Sequence, residues 1–395
     1  MEHSKKDTVY LAGMDLSFWF SWAFGMFSVL YLQEKGFSAT RIGLINAVGS
    51  IVAFFALTFW GSVSDRMRAL KPMLYLLLTA AAVSWGSIPL IPSTRPYSFL
   101  MFLALIAVAN FFRLPSSTFT DNLLVRAAAD HELNYGMIRG LGSLSFAAGC
   151  VLINWLLPRT GTAPMFWIAA LCCLPVLFFL SRVKEPGFVS KAETDQGLQL
   201  QELLQNRPYV FFCVYIFFFT ICYNADTSFI TYFMADNGIA LDSYAIFLGY
   251  RAALEFPTLF ALRSLRAHFP LKRLLPLFGL LMGLDCLCLS FWVQNTLQLI
   301  LFSSLFGLGN GIYIGVSANY VYNLAPPRLK ASAQAIFASV CSIASVMGSA
   351  GGGVVYDLLP SRRYYLLLGL ILLSITGLFT LTTLTPDDRP SRPPA

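Results

Sequence analysis

Ala163-Pro-Met-Phe-Trp-Ile-Ala-Ala-Leu-Cys-Cys-Leu-Pro-Val-Leu-Phe-Phe-Leu-Ser181 is a run of nineteen residues with no charged side chain, and it breaks abruptly into Arg182-Val-Lys184-Glu185-Pro-Gly187. A bilayer core of about 30 Å takes about 20 mostly apolar residues per helix, so the run reads as a membrane span. The polar segment that follows it, Arg182–Arg207, is the longest in the chain and holds a Gln/Glu/Leu-rich stretch, Gln196–Gln205, patterned as a short surface helix. Working outward from it, spans fall near residues 9–32, 41–61, 72–91, 98–122, 136–157 and 163–181 on one side, and 208–234, 243–262, 274–293, 297–323, 333–358 and 364–384 on the other. The expected fold is an all-α membrane protein with twelve transmembrane helices in two six-helix halves. The expected division is an N-terminal bundle at 1–182, a cytoplasmic linker at 183–207 and a C-terminal bundle at 208–395. Six plus six around a central loop predicts two repeats related by an axis along the membrane normal, with a substrate site between them at mid-membrane.

Composition agrees. The 395 residues are 57% apolar and 12% charged, against about 45–50% and about 25% in an average soluble domain. Soluble enzymes, nucleic-acid binders and secreted disulfide scaffolds are excluded. The net charge of +7 belongs to loops facing an anionic leaflet rather than to nucleic acid. The eight cysteines all sit in apolar runs, where thiols behave as small hydrophobes, and His3, His131 and His268 lie in hydrophilic stretches far from them, so neither a metal nor a cofactor is expected. Met-Glu-His-Ser-Lys-Lys-Asp leads into an apolar run with no small-residue cleavage site, which reads as a first span rather than a signal peptide. With the N-terminus inside, 18 of the 27 Lys and Arg fall in cytoplasmic segments and six outside, the other three lying within spans. That bias puts both termini in the cytoplasm.

Between the second and third spans stands Gly61-Ser-Val-Ser-Asp65-Arg66-Met-Arg68-Ala-Leu-Lys71. It resembles the loop signature of the major facilitator superfamily, Gly-x-x-x-Asp-Arg/Lys-x-Gly-x-Arg/Lys-Lys/Arg, with Met67 or Arg68 near the place of the second glycine. Gly61, Asp65 and Arg66 are the gating-loop residues this resemblance implies. Arg263-Ser-Leu-Arg266-Ala-His-Phe-Pro-Leu-Lys272-Arg273 is the counterpart in the second half.

Ionisable groups at membrane depth cost about 2.5–3.5 kcal/mol each on insertion scales, so they face a cavity and have partners. Eight occur here: Asp15, Arg113, Asp121, Arg139, Asp226, Arg251, Glu255 and Asp285. The run Tyr135-Gly-x-x-Arg139-x-x-Gly142-Ser143 resembles the fifth helix of the lactose permease and phenylpropionate permease branch. That branch carries a carboxylate eighteen positions before the arginine, as Asp121 stands here, and an aromatic seven beyond it, as Phe146 stands here. The resemblance implies that Asp121 and Arg139 contact solute hydroxyls and that Phe146 stacks on a sugar ring. Asp226 resembles the carboxylate of the family's seventh helix, and Glu255 falls where its eighth helix carries the substrate and coupling glutamate.

The departures bear on coupling. Asp285 replaces an arginine of helix nine, and Ser303, Phe306 and Gly309 stand near the family's lysine, histidine and glutamate of helix ten. Arg251, one turn before Glu255, is the replacement cation for Asp285 or Asp226. Gly149 and Gly348-Ser-Ala-Gly351-Gly-Gly353 permit close helix crossings in equivalent places of the two repeats. Trp19, Trp22, Tyr223, Asn224, Asn310, Tyr313, Asn319 and Tyr320 are candidates to line the cavity.

No nucleotide-binding signature, paired catalytic acids, nucleophile elbow or metal-ligand cluster occurs, so an enzyme is not expected. The leading reading is a secondary transporter of a sugar, oligosaccharide or nucleoside-like solute by alternating access with proton symport. Asp121, Arg139, Phe146 and Glu255 would bind the solute. Glu255, Asp226 and Asp285, with Arg251, are the proton-coupling candidates. Proton-coupled efflux or uptake of an aromatic acid or drug-like metabolite, and an uncoupled uniporter, are the alternatives. The expected partners are a small-molecule substrate, protons and the lipid of a bacterial inner membrane, with no nucleic acid and the protein a monomer.

Overall fold

The computed structural model describes residues 2–93, 95, 97–130, 135–185, 203, 205–326 and 329–383. Twelve helical stretches fall where the twelve apolar runs predict them. α1 (Glu2–Phe24) continues through the 3₁₀ turn Gly25–Phe27 into Ser28–Glu34, followed by α2 (Ala39–Met67), α3 (Lys71–Gly86), α4 (Ser98–Asp130), α5 (Tyr135–Thr160) and α6 (Ala163–Arg182). The second six are α7 (Arg207–Asp236), α8 (Tyr244–His268), α9 (Leu271–Phe291), α10 (Thr296–Phe302 and Ser304–Leu324, interrupted at Ser303), α11 (Lys330–Leu358) and α12 (Ser361–Thr383). Among the described residues, ten of the twelve are long and apolar enough to cross a membrane. The other two, α1 and α8, carry Asp15 in the first case and Arg251 and Glu255 in the second.

Local chemistry sets the ends. The Ser38 hydroxyl and the Asn206 and Asn295 side chains accept backbone N–H groups at the starts of α2, α7 and α10, satisfying donors that a helix N-terminus leaves open. Gly36, Gly161 and Gly238 take positive φ after α1, α5 and α7, the left-handed conformation that closes a helix cheaply only without a Cβ. Several helices outrun their apolar stretch. α4 reaches Asp130, eight residues past its expected end at 122, because Leu123-Leu-Val-Arg-Ala-Ala-Ala129 is rich in good helix formers. Asp121 therefore lies inside a helix rather than at a loop edge.

The chain divides into two compact units, residues 1–192 with 242–249, and residues 193–241 with 250–395. In the first, α1 packs on α5 and α6, and α3 on α4 and α6; in the second, α7 packs on α11 and α12, and α9 on α10 and α12. The same four pairings recur at an offset of six helices, as a repeat requires. The core of the first unit joins Leu11, Met14 and Phe18 of α1 to Leu74 and Leu77 of α3, Leu123 of α4 and Leu180 of α6. In the second, Tyr215 of α7 stacks on Phe379 of α12 at 4.5 Å, and Phe219 meets Phe278 of α9 edge-on at 4.6 Å. Large apolar side chains such as Phe55, Trp155, Leu174 and Phe260 point outward, as lipid-facing positions do.

Glu185, just past α6, ties two helices together. Its carboxylate accepts the backbone N–H groups of Leu70 (2.6 Å) and Lys71 (3.1 Å) at the start of α3, and the Lys71 ammonium donates to the Val183 carbonyl. An anion there also complements the α3 dipole.

Candidate functional site

Among the described residues, each unit carries a cluster of charged side chains at membrane depth. In the second, Arg251 of α8 reaches Asp226 of α7 through Nη1 at 3.0 Å and Asp285 of α9 through Nη2 at 3.1 Å. All three are buried, at 4%, 2% and 0% exposure. The guanidinium also lies 3.8 Å from the Phe306 ring of α10. Two carboxylates share one cation, and Oδ1 of both aspartates is buried without a hydrogen-bond partner. One turn along α8, the Glu255 carboxylate accepts the Asn310 amide at 2.7 Å, and Tyr223 stacks on Phe306 at 5.6 Å.

Two glycines of α10 let these groups meet. A Cβ at Gly307 would lie 2.7 Å from the Arg251 carbonyl oxygen, and one at Gly311 would lie 2.9 Å from that of Glu255. Both are closer than real Cβ contacts, so α8 can seat its charged turn against α10 only while these positions lack side chains.

In the first unit, Arg139 of α5 sits with Nε 3.4 Å from the Asp121 carboxylate of α4, and its guanidinium lies 4.1 Å from the centre of the Trp19 indole of α1. Nη1 is 3.5 Å from the Ser143 hydroxyl. Asp15, one turn before Trp19 and fully buried, accepts the Trp19 indole N–H at 3.1 Å. It lies within electrostatic reach of both Arg139 and Asp121. Gly142 of α5 faces the Asp15 carboxylate and Trp19 so closely that any Cβ would collide with them. This cluster again sets two carboxylates against one arginine, but it is open: the Arg139 and Asp121 side chains are 29% and 36% exposed.

Sequence-derived candidates thus fall into two groups. Asp121 meets Arg139, and Arg251 meets both Asp226 and Asp285 rather than one of them. Glu255 belongs to the second unit, where its carboxylate meets the Asn310 amide. Phe146 lies half-buried on α5, two turns past Arg139; the aromatic face against the guanidinium is that of Trp19. Gly61 sits inside α2 with open space where a Cβ would be, and Arg66 is exposed in its last turn. The Asp65 side chain lies outside the described residues. Arg68 closes α2 in the left-handed conformation, φ 51°, taking the glycine's role in the signature loop. Asp15 is the residue that sequence reasoning left out of the site, although its four-residue spacing to Trp19 places both on one helix face.

Chemically, the first-unit cluster offers a planar donor fork, carboxylate acceptors and an indole face within one small region. That combination suits a ring carrying several hydroxyls. The second-unit triad is shut off from solvent instead.

The chain matches the family described as the MFS_1 like family over residues 18–367. The maltose permease of Geobacillus stearothermophilus is 26% identical over 325 residues, covering 82% of this chain and 80% of that protein. A putative nucleoside transporter of Escherichia coli, YegT, is 22% identical over 377 residues, covering 89% and 85%. Among solved structures, the nucleoside transporter NupG superposes with a TM-score of 0.80 at 15% identity, covering 98% of this chain and all of that one. With twelve helices in the expected order and a family match spanning most of its length, the chain belongs to the MFS_1 like family of major facilitator superfamily transporters.

Proposed function

We propose that this transporter carries a sugar, oligosaccharide or nucleoside-like solute by alternating access, and that a proton moves with it. The half-exposed Asp121–Arg139 pair beside Trp19 carries this reading. A guanidinium and a carboxylate held 3.4 Å apart donate to and accept from neighbouring hydroxyls at once, and the indole covers the apolar face of a ring. The names of the maltose permease and of YegT are consistent with such a solute. Asp15 positions the platform through its bond to Trp19. Replacing Arg139 with Lys keeps the charge and loses the planar fork. Solute affinity should fall about tenfold or more, equivalent to ~1.4 kcal/mol. Wild-type affinity in that variant, read by thermal shift across sugars, nucleosides and aromatic acids, would remove Arg139 from the site.

Glu255 is the proposed proton carrier. Its carboxylate is half-buried beside a neutral amide donor, Asn310, whereas Asp226 and Asp285 are held by Arg251. In proteoliposomes, Glu255→Gln should abolish solute accumulation driven by a pH gradient while counterflow exchange continues. If wild-type accumulation ignores the pH gradient, proton coupling is lost and the uniporter reading replaces it.

A further inference from the structure

Asp15 of α1 stands behind the solute platform of the first unit, and the transport reading gives it only the task of holding Trp19. It is fully buried, at 0% exposure. Oδ1 accepts one hydrogen bond, from the Trp19 indole N–H at 3.1 Å. Oδ2 is buried with no hydrogen-bond partner, and it faces the bare backbone of Gly142, where a Cβ would collide with it. Burying a charge is costly unless it is paired and hydrogen-bonded, and Asp15 has one neutral donor for its two oxygens. The charged groups within electrostatic reach are Arg139 of α5 and Asp121 of α4. Arg139 makes its ion pair with Asp121, at 3.4 Å. α6 also packs on α1, and it brings the Phe179 ring against Gly13 and the Cys173 thiol to Ser21.

The other two members of the cluster meet solvent, with the Arg139 and Asp121 side chains 29% and 36% exposed. A solute seated on them displaces that water, and electrostatic interactions strengthen as water leaves. Two carboxyl groups beside one guanidinium then stay neutral as a set only when one of them carries a proton. Asp121 keeps an oxygen beside the Arg139 Nε and can accept from solute hydroxyls. Asp15 has neither. A proton, unlike a metal or halide ion, needs no cavity beside the oxygen that takes it. On Oδ2 it leaves Oδ1 as a carbonyl acceptor for Trp19, so the platform keeps its shape in both forms.

We propose that Asp15 is a second proton-binding residue of this transporter, beside Glu255, which takes up a proton from solvent on Oδ2 when solute covers the Arg139–Asp121 pair and returns it when solute leaves. Asp15 does not touch the solute; it is a positioning residue whose proton is linked to solute binding through the two groups that do. The linkage is reciprocal, so solute binds more tightly where Asp15 is protonated and affinity falls as pH rises. The inference rests on the reading of Asp121, Arg139 and Trp19 as the solute platform.

Infrared difference spectra of the full-length protein in detergent, recorded from acid to alkaline pH, read protonated carboxyl groups by their C=O stretch and need no solute. A titrating C=O band should be present in wild type and in Glu255→Gln and absent from Asp15→Asn. It should shift in frequency in Trp19→Phe, which removes the hydrogen bond to Oδ1 and so assigns the band even where Asp15→Asn fails to fold. At fixed pH, saturating maltose or uridine should enlarge the band in wild type. Affinity for the solute that binds should fall several-fold with rising pH in wild type and stay flat in Asp15→Asn. Identical titrations of wild type and Asp15→Asn, a band that ignores Trp19→Phe, or a bound solute that leaves the band unchanged would each overturn the proposal. Should neither solute bind, the solute reading of the platform fails, and the solute-free titration decides by itself whether Asp15 binds a proton.

Discussion

Arg251 is the residue whose removal would tell most about the second unit. A buried cation between two carboxylates is costly to assemble, because desolvating three charges offsets much of their attraction. Breaking it is costlier, since removing one partner of a buried pair destabilises by about 3–5 kcal/mol. Arg251→Ala leaves Asp226 and Asp285, both at most 2% exposed, without the cation they share. Adding Asp285→Asn takes away one of them. The double variant should therefore unfold at a higher temperature than Arg251→Ala alone, with the difference appearing as coupling in a double-mutant cycle. Additive losses would mean that Arg251 and Asp285 are neighbours without a shared energy. Part of this was legible in the sequence. An arginine in an apolar run needs a carboxylate, which named Asp226 and Asp285 as its options, but the bridging of both depends on where three helices cross. The platform beside Arg139 was less legible. The family resemblance put Phe146 on the same helix as a ring-stacking residue; the indole that meets the guanidinium comes from α1, and nothing local to α5 encodes that.

At the scale of helices, apolar length and turn chemistry told nearly everything. Membrane helices satisfy their own backbone groups, so a run of the right length fixes an element almost by itself. What the runs could not reveal are the interruptions, the 3₁₀ turn at Gly25–Phe27 and the break at Ser303, which sit inside unbroken apolar sequence. The end of α2 is a related case. The signature loop lacks its second glycine, and Arg68 supplies the left-handed residue instead, φ 51° and ψ 28°, its N–H donating to the Ser64 carbonyl. For a residue with a Cβ this conformation costs about 1–2 kcal/mol. Glycine would relieve that cost and give back about 0.4–1 kcal/mol through the freer unfolded chain. Arg68→Gly should therefore be at least as stable as wild type, by up to about 1.5 kcal/mol. Arg68→Val, β-branched and stiff, should be less stable than wild type. Thermal unfolding of the two side by side is the measurement. A glycine variant less stable than valine would mean that the Arg68 side chain, rather than the backbone turn, holds the end of α2.

For the whole chain, the buried charges and the loop charges obey different rules. Among the described residues, intramembrane ion pairs form within each unit: Asp121 with Arg139, Asp226 and Asp285 with Arg251. The loop charges are sorted by side instead, 18 Lys and Arg in one set of segments against six in the other. Such a bias orients membrane proteins because cationic loops near span ends resist translocation. It favours both termini, and the end of α6, on the cytoplasmic side. Lys184 and Arg159 are exposed at opposite ends of this logic, the first just after α6 and the second in the last turn of α5. Single cysteines at those positions can be read against a background in which the eight native thiols, none of them exposed, have been replaced. A membrane-impermeant maleimide added to intact cells should label Arg159→Cys and spare Lys184→Cys until the membrane is opened. Labelling of Lys184→Cys from outside would invert the topology, and with it the side from which the Glu185 clasp on α3 and the Arg66 end of α2 are reached.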